Sequence, residues 1–570
     1  MQFRGPILER TSRTLAMLSA QAVEKAKSGH PGAAMGMSHG YAYVLLNLAV
    51  FDPADPKFAG RTRINWSNGH ASALPYSGAV LYGSLPLEEL KQFRQLHSKT
   101  PGHPERGCCH GIEGTSGPLG QGIANAIGQA VGEKMLAARF NRDGYPLFGN
   151  TVFCLMGDGC FQEGPFYEAA RMAGQWGLDN LLAFYDFNSI TIDGSTDSTL
   201  REVNVNLLFE SLGWRVISMD GQDFQSIEAG FAEALNRTGK PTVIIAKTTI
   251  GFGAPTKAGK SACHGSPLGK TELDAVAANW GWPADESFHI PDDVAAAFQQ
   301  LRTGRLSTAV SDWKDLFSRW RNEFPDLAAE YDKLFDRSLD DNLVTTLSAQ
   351  LQTNGKPIST RKLSQMVLIG LSKVLSYLVG GSADLACSCL ADVPDWSVFD
   401  RENHGGRKIQ FGISEHGMAA VSVGIAQHEA FAPFIGTFLG FTNYAIPAIR
   451  LAAISKLSLI VVGSHDSFLQ GEDGGTHQPI EHLSAFRLMP GVRVCRPATA
   501  MEVVYAWLSA LKYQGPTILA LTRQDIPTYT WEALHWDKVK RGAYAIAGMD
   551  EETGDPDYTL VATGSGPDQL

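Results

Sequence analysis

Two doubly wound, mainly parallel-sheet α/β domains, followed by the opening of a truncated third α/β domain, are predicted for this chain. Three observations lead there. Short apolar runs recur between helical patterns, at 151–156, 181–185, 214–219 and 241–248, and again at 377–379, 409–411, 457–462 and 517–521. Buried parallel strands have this form, and their alternation with helices is the α/β pattern. Second, residues of differing chemistry follow the later runs: Asp384, Glu415, His465 and Arg523. Open α/β sheets bind ligands at strand carboxyl ends, so this distribution itself points to a site. Third, a charged helical stretch at 313–351 parts two such segments, and Gly355-Lys356-Pro357 opens the second. The expected division is 1–315, a connector at 316–355, 356–535, and the start of an incomplete domain at 536–570, where an apolar run at 558–563 meets Gly564-Ser565.

Bulk properties narrow the function. With 570 residues, 44% apolar and 19% charged, the chain can bury several cores. The formal net charge of −11, with no basic block, argues against nucleic acid or an anionic membrane as partner. A phosphorylated substrate would need a local basic pocket. No run of eighteen apolar residues and no signal-peptide core occurs, which fits a cytoplasmic protein. The eight cysteines include Cys108-Cys109 and Cys387-x-Cys389. Neither has a partner pair at zinc-site spacing, so reduced thiols are expected.

The first domain carries the most informative spacing. The run at 151–156 breaks at Gly157-Asp158-Gly159, and thirty positions after Asp158 stands Asn188, in Asp186-Phe187-Asn188. Between them, 162–176 has Phe166, Ala169, Ala170, Ala173 and Trp176 at helical spacing, with Pro165 tolerable in the first turn. A right-handed crossover brings both strand ends to one sheet edge, so Asp158 and Asn188 can face one point. One carboxylate plus one amide oxygen suits Mg²⁺ or Ca²⁺ held partly by a diphosphate. Glycine lets backbone approach the phosphates. Further on, 253–261 imitates a P-loop, but five residues separate its glycines where four are needed. A mobile loop carrying His264 is expected there instead.

Several motifs occur in the order found in one family: Ser28-Gly29-His30-Pro31-Gly32, Asn68-Gly69-His70, Pro101-Gly102-His103-Pro104, Gly117-Pro118-Leu119-Gly120-Gln121-Gly122, the Gly-Asp-Gly with its Asn188, and Gly471-Glu472-Asp473-Gly474. From about residue 10 onward the chain resembles the transketolases, which use thiamine diphosphate. The resemblance implies reversible transfer of a two-carbon ketol unit from a ketose phosphate (xylulose 5-phosphate type) to an aldose phosphate (ribose 5-phosphate type). The unit is carried as a covalent enamine of the cofactor, as in the pentose phosphate pathway. It also implies a homodimer whose active sites are shared between subunits.

By that resemblance, Asp158, Asn188 and the carbonyl of Ile190 hold the divalent ion, while His70, Gly117, Pro118, Leu119, Gly159 and Asp384 contact the cofactor. Glu415, in Gly412-Ile413-Ser414-Glu415-His416, is the activating glutamate; burial would let it stay protonated and donate. Glu163 pairs with its counterpart across the subunit interface. Phe438, Phe441 and Tyr444 bracket the aminopyrimidine. His30, His103, His264 and His477 serve proton transfer and hydroxyl recognition, as groups titrating near neutrality, with His264 also contacting the cofactor. Asp473 recognises a sugar hydroxyl, and Arg361, Ser388, His465 and Arg523 grip the phosphate. His97, His110, His289 and His535 match no family position. Ser414 stands where the family usually has arginine, and Ala386-Cys387-Ser388-Cys389 where it has Thr-Pro-Ser-Asn. Two rivals stay in view: a dihydroxyacetone synthase, which would share the cofactor, and a silent transketolase-like interaction protein, which these departures keep open. A deoxyxylulose-phosphate synthase is disfavoured by segment order and by the histidine motifs.

Overall fold

The structure is a computed structural model that describes every residue except 1, 110, 284–285, 341, 352–354, 529–535, 540, 547–557 and 567–570. His110 and His535 therefore lie outside the described residues. The chain separates into two compact units, 1–328 with 400–404, and 329–399 with 405–570.

The first unit is built on a five-stranded parallel sheet. Its strands are β1 (Arg63–Trp66), β2 (Val152–Gly157), β3 (Leu181–Phe187), β6 (Arg215–Asp220) and β7 (Thr242–Lys247), in the order β1-β2-β3-β7-β6. A two-residue pair, β4 (Ile190–Thr191) and β5 (Gly194–Ser195), forms a small antiparallel hairpin just beyond β3. Every residue of β2 is buried, as its unbroken apolar run requires. The edge strand β6 instead alternates buried and exposed residues along its second half. The crossover from β2 to β3 is two helices, Asp158–Gln162 and Gly164–Gln175, with Pro165 in the first turn of the second. Phe166, Ala169, Ala170 and Ala173 form its buried face. A Cβ on Gly174 would lie 1.8 Å from the Leu212 carbonyl oxygen, so only glycine lets that helix end seat against the loop before β6.

The second unit repeats the plan. Its strands β8 (Leu378–Ser382), β9 (Ala432–Phe438), β10 (Leu459–Ser464), β11 (Arg493–Cys495) and β12 (Pro516–Leu521) form a parallel sheet ordered β11-β12-β10-β9-β8. Four of the five strands are buried throughout; β11, at an edge, is half-exposed.

Three expectations are corrected. The run at 409–411 is not a strand: it runs beside β8 through single bridges, with the Ile409 N–H donating to Gly380 O at 2.9 Å. Gly412, at φ 71°, then turns the chain into the helix Glu415–Gln427 before a ladder can extend. At 558–563 the backbone pairs with no strand among the described residues, and Tyr558, Leu560 and Val561 are exposed. A lone strand leaves its peptide groups unpaired, so the run stays irregular. Finally, the 253–261 loop is tied down rather than mobile. The Glu272 carboxylate accepts from the amides of Thr256 and Lys257 and from the Thr256 hydroxyl, and Lys257 Nζ donates to Leu268 O at 2.6 Å.

Candidate active site

The register of β2 against β3 pairs Gly157 with Asp186, so the residues that follow each strand emerge side by side. Asp158 is buried, and both its carboxylate oxygens accept hydrogen bonds: from the Tyr185 hydroxyl at 2.8 Å and the Ser189 N–H at 2.8 Å. Asn188 Oδ1 accepts from the Ile190 N–H at 2.9 Å, while its Nδ2 donates to Asp186 Oδ2 at 2.8 Å. The Thr248 hydroxyl, just past β7, donates to Asp186 Oδ1. Ser189 turns between them at φ 61°. The structure thus brings Asp158, Asn188 and Ile190 into one cluster.

The cluster is short of positive charge. Burial pushes the Asp158 carboxyl up to about 6, despite the Tyr185 and backbone hydrogen bonds that favour its ionised form. Burial pushes Asp186 up to about 7, with Asp158 adding to the rise. The sequestered Asp158 carboxyl beside the Asn188 carboxamide oxygen, with Asp186 behind them, fits a hard divalent cation. The neighbouring backbone leaves room for an anion. A Cβ on Gly157 would meet only the Asp186 carbonyl oxygen, at 3.9 Å, and one on Gly117 nothing nearer than His103, at 3.7 Å. Packing within the chain does not demand glycine at either place, which is what a cradle for a closely approaching group looks like. Gly120 differs: its φ of 76° and a Cβ contact of 2.7 Å with Glu163 require glycine to bring the 117–120 loop onto the Asp158 turn. Leu119 packs there against Gly159. Pro118 and Glu163 are exposed in the single chain.

Four of the five family-matched histidines converge in the same unit. Ring centroids lie 5.2 Å apart for His30 and His70, 5.8 Å for His30 and His264, 6.2 Å for His30 and His103, and 5.1 Å for the stacked His70 and His264. The expectation of titration near neutrality is overturned here. Burial first, and then the neighbouring His264, Arg94 and His103, pull His30 down to about 4; burial pulls His70 well below the ordinary imidazole value. His103 and His264 are lowered by burial as well. Crowded, desolvated imidazoles disfavour charge, so the cluster is neutral near pH 7 and each ring offers one N–H and one lone pair. His97 and His289 stand outside this ring cluster.

The second unit gathers the remaining residues around the carboxyl ends of its sheet. Arg361 Nη1 donates to the Ser388 carbonyl at 2.5 Å, and burial, then the neighbouring Arg523, lowers the Arg361 pKa. His465, buried at the end of β10, packs its ring 3.8 Å from Phe438, with Nδ1 3.0 Å from the Ser464 hydroxyl. Burial, then Arg361 and Arg523, pulls it to about 4. Two cations and a neutral imidazole therefore share one place. Phe438 and Phe441 lie 5.5 Å apart, each beside the His477 ring. Leu439–Ala445 is a 3-10 helix, so the i, i+3 spacing aligns the aromatics on one side. Tyr444 at the far end is 67% exposed and has left the ring cluster. Asp384, at φ 58°, and Asp473 are exposed. Glu415 opens its helix but is only half-buried, so its own chain does not supply the enclosure expected for a protonated carboxyl.

Some neighbours carry no local sequence signal. Arg94, at φ 63°, reaches Ser28 Oγ at 2.9 Å and His30 Nδ1 at 3.4 Å across 64 positions of chain. Tyr185 and Thr248 are likewise known only from the sheet register, although Asp186 was visible two residues before Asn188.

A buried carboxylate and an amide at adjacent strand ends, beside a glycine cradle and a histidine cluster, fit an enzyme that holds a divalent cation against a diphosphate-bearing cofactor. Residues 7–340 match the family described as "Transketolase, thiamine diphosphate binding domain", and 356–528 match "Transketolase, pyrimidine binding domain". The chain belongs to the transketolase family, and it is a transferase using thiamine diphosphate with a divalent metal. Transketolase 2 of Xanthobacter flavus is 42% identical over 557 residues, covering 97% of this chain and 80% of the relative. Transketolase 2 of Escherichia coli is 42% identical over 555 residues, covering 96% and 82%. A transketolase structure from Pichia stipitis, in complex with sedoheptulose 7-phosphate, superposes with a TM-score of 0.91 at 38% identity, covering 96% of this chain and 81% of that one. No described helix is long and apolar enough to cross a membrane.

Proposed function

We propose that this enzyme moves a two-carbon ketol unit from a xylulose 5-phosphate-type donor to a ribose 5-phosphate-type acceptor, in the cytoplasm, as a step of the pentose phosphate pathway. The observation that carries this is the pairing of Gly157 with Asp186, which sets Asp158 beside Asn188 with a glycine cradle adjoining. In this reading residues 1–315 bind the diphosphate end, 316–355 connect, and 356–535 bind the pyrimidine end. Asp158, Asn188 and the Ile190 carbonyl hold Mg²⁺, or Ca²⁺ in its place. Thiamine diphosphate supplies, when bound, a carbon nucleophile that also serves as the electron sink.

The chain's own groups do the rest. Neutral His30, His103 and His264, with His477, exchange hydrogen bonds with substrate hydroxyls and take up or return their protons. The depressed basicity of His30, His103 and His264 supports that role, because an imidazole already charged could not accept. Arg361 and Arg523 give charge-assisted bonds to the substrate phosphate, with Ser388 and His465 beside them. Phe438, Phe441 and Tyr444 form the aromatic wall, His70, Pro118, Leu119 and Asp384 further cofactor contacts, and Asp473 a hydroxyl contact. Glu415 would hydrogen-bond the ring nitrogen of the bound pyrimidine.

A homodimer with shared sites completes the proposal. It is supported by what one chain leaves open: Glu163 and Tyr444 exposed, Glu415 half-buried, and apolar Ile413, Phe468 and Ile480 turned to solvent. The direct test combines the chain with Mg²⁺, thiamine diphosphate, xylulose 5-phosphate and ribose 5-phosphate. Sedoheptulose 7-phosphate is the expected product. Its absence from a cofactor-loaded dimer would overturn the assignment in favour of a silent relative, and sedimentation decides the dimer.

A further inference from the structure

We infer that Asp186 is a positioning residue for the metal: it holds the Asn188 carboxamide with its oxygen free to face the cation. The inference rests on the reading of Asp158, Asn188 and Ile190 as the metal site, and adds a residue that takes no part in coordination. Asp186 lies one strand residue before the turn, almost fully buried, with both carboxylate oxygens engaged. Oδ2 accepts from Asn188 Nδ2 at 2.8 Å, and Oδ1 accepts from the Thr248 hydroxyl.

A carboxamide has two nearly isosteric ends, one donor and one acceptor, and only the acceptor can bind a cation. The Asp186 oxygen accepts from the nitrogen end and so fixes which end faces it. The Ile190 N–H occupies one lone-pair direction of Asn188 Oδ1, at 2.9 Å, and leaves the other. Thr248 in turn keeps the Asp186 carboxylate from rotating; it follows β7, whose Lys247 pairs with Phe187 in the register. Three strand ends thus cooperate: β2 supplies Asp158, β3 supplies Asp186 and Asn188, and β7 supplies the brace. Outer-shell partners of this kind orient ligands, and their loss costs roughly ten- to a hundredfold in metal affinity.

Calorimetric titration of the full-length chain with Mg²⁺, at saturating thiamine diphosphate, tests this without reference to turnover. Asp186→Leu, of similar volume but without an acceptor, is expected to weaken Mg²⁺ roughly ten- to a hundredfold. Asp186→Asn keeps an oxygen for Asn188 and can donate to Thr248, so it should restore binding to within about threefold of wild type. Thr248→Val, isosteric and remote from the metal, should weaken binding measurably and serves if Asp186→Leu does not fold. Asp186→Asn as damaging as Asp186→Leu would mean that the negative charge matters rather than the acceptor, and would overturn the inference. So would unaltered affinity in Asp186→Leu or, if that variant does not fold, in Thr248→Val. A wild-type chain that takes up no Mg²⁺ removes the metal-site reading and this inference with it. Wild-type binding beside an indifferent Asp186→Leu removes the inference alone.

Discussion

Lowering the pH should strip the metal through Asp158, because the cation must compete with a proton held more tightly than usual. The carboxyl is raised from 3.8 to about 6 by burial. At about pH 8 essentially every molecule is ionised there, whereas at about pH 5 roughly one in ten is, so apparent Mg²⁺ affinity should fall about tenfold, or ~1.4 kcal/mol. The assay is calorimetric Mg²⁺ titration at saturating thiamine diphosphate across that range, on wild type and on Asp158→Asn. The variant reports the titration of the cofactor's own phosphates, and the excess slope in wild type belongs to Asp158. The cofactor-free chain should show the opposite trend in stability. A raised folded-state pKa means that the native state binds the proton more tightly than the unfolded chain. This contribution is full below about pH 4 and is lost as pH rises through about 6, amounting to roughly 3 kcal/mol. Asp186, raised to about 7, acts with the same sign. Stabilisation by Mg²⁺ and thiamine diphosphate should therefore be larger at about pH 8 than at about pH 5. Identical slopes in wild type and Asp158→Asn would refute the reasoning.

Two further substitutions separate the cradle from the phosphate grip. Gly157→Ala should leave the thermal transition nearly unchanged, since the new methyl meets only a carbonyl oxygen at 3.9 Å and φ is −131°. Thiamine diphosphate affinity should nonetheless drop about tenfold or more, which fluorescence titration would report. Arg361→Leu should raise KM for phosphorylated donors roughly ten- to a hundredfold, as expected for loss of a charged hydrogen bond, and leave a short unphosphorylated ketol donor little changed. Equal loss with both donor types would place Arg361 elsewhere in the mechanism.

The strand ends that carry chemistry were legible in advance because their signals are local. The unbroken apolar run before Gly157, the turn itself and the thirty-residue step to Asn188 suffice to place two oxygen ligands on neighbouring strands. Where a local signal misled, a long-range term decided. The run at 409–411 looks like a strand but meets Gly412 before it can pair, and 558–563 has no neighbouring strand to complete it.

What the amino-acid order determined alone is therefore the inventory and its placement: two parallel α/β units, the glycine turns, and which side chains stand at which strand ends. Period, turn chemistry and spacing act over a few residues and survive without the rest of the chain. Only the tertiary structure decided what those side chains touch and how they are charged. Arg94 reaches His30, Thr248 braces Asp186, and four histidines share one desolvated space that holds them neutral. Burial and electrostatic coupling depend on neighbours brought together from distant parts of the chain, so no local window of sequence contains them.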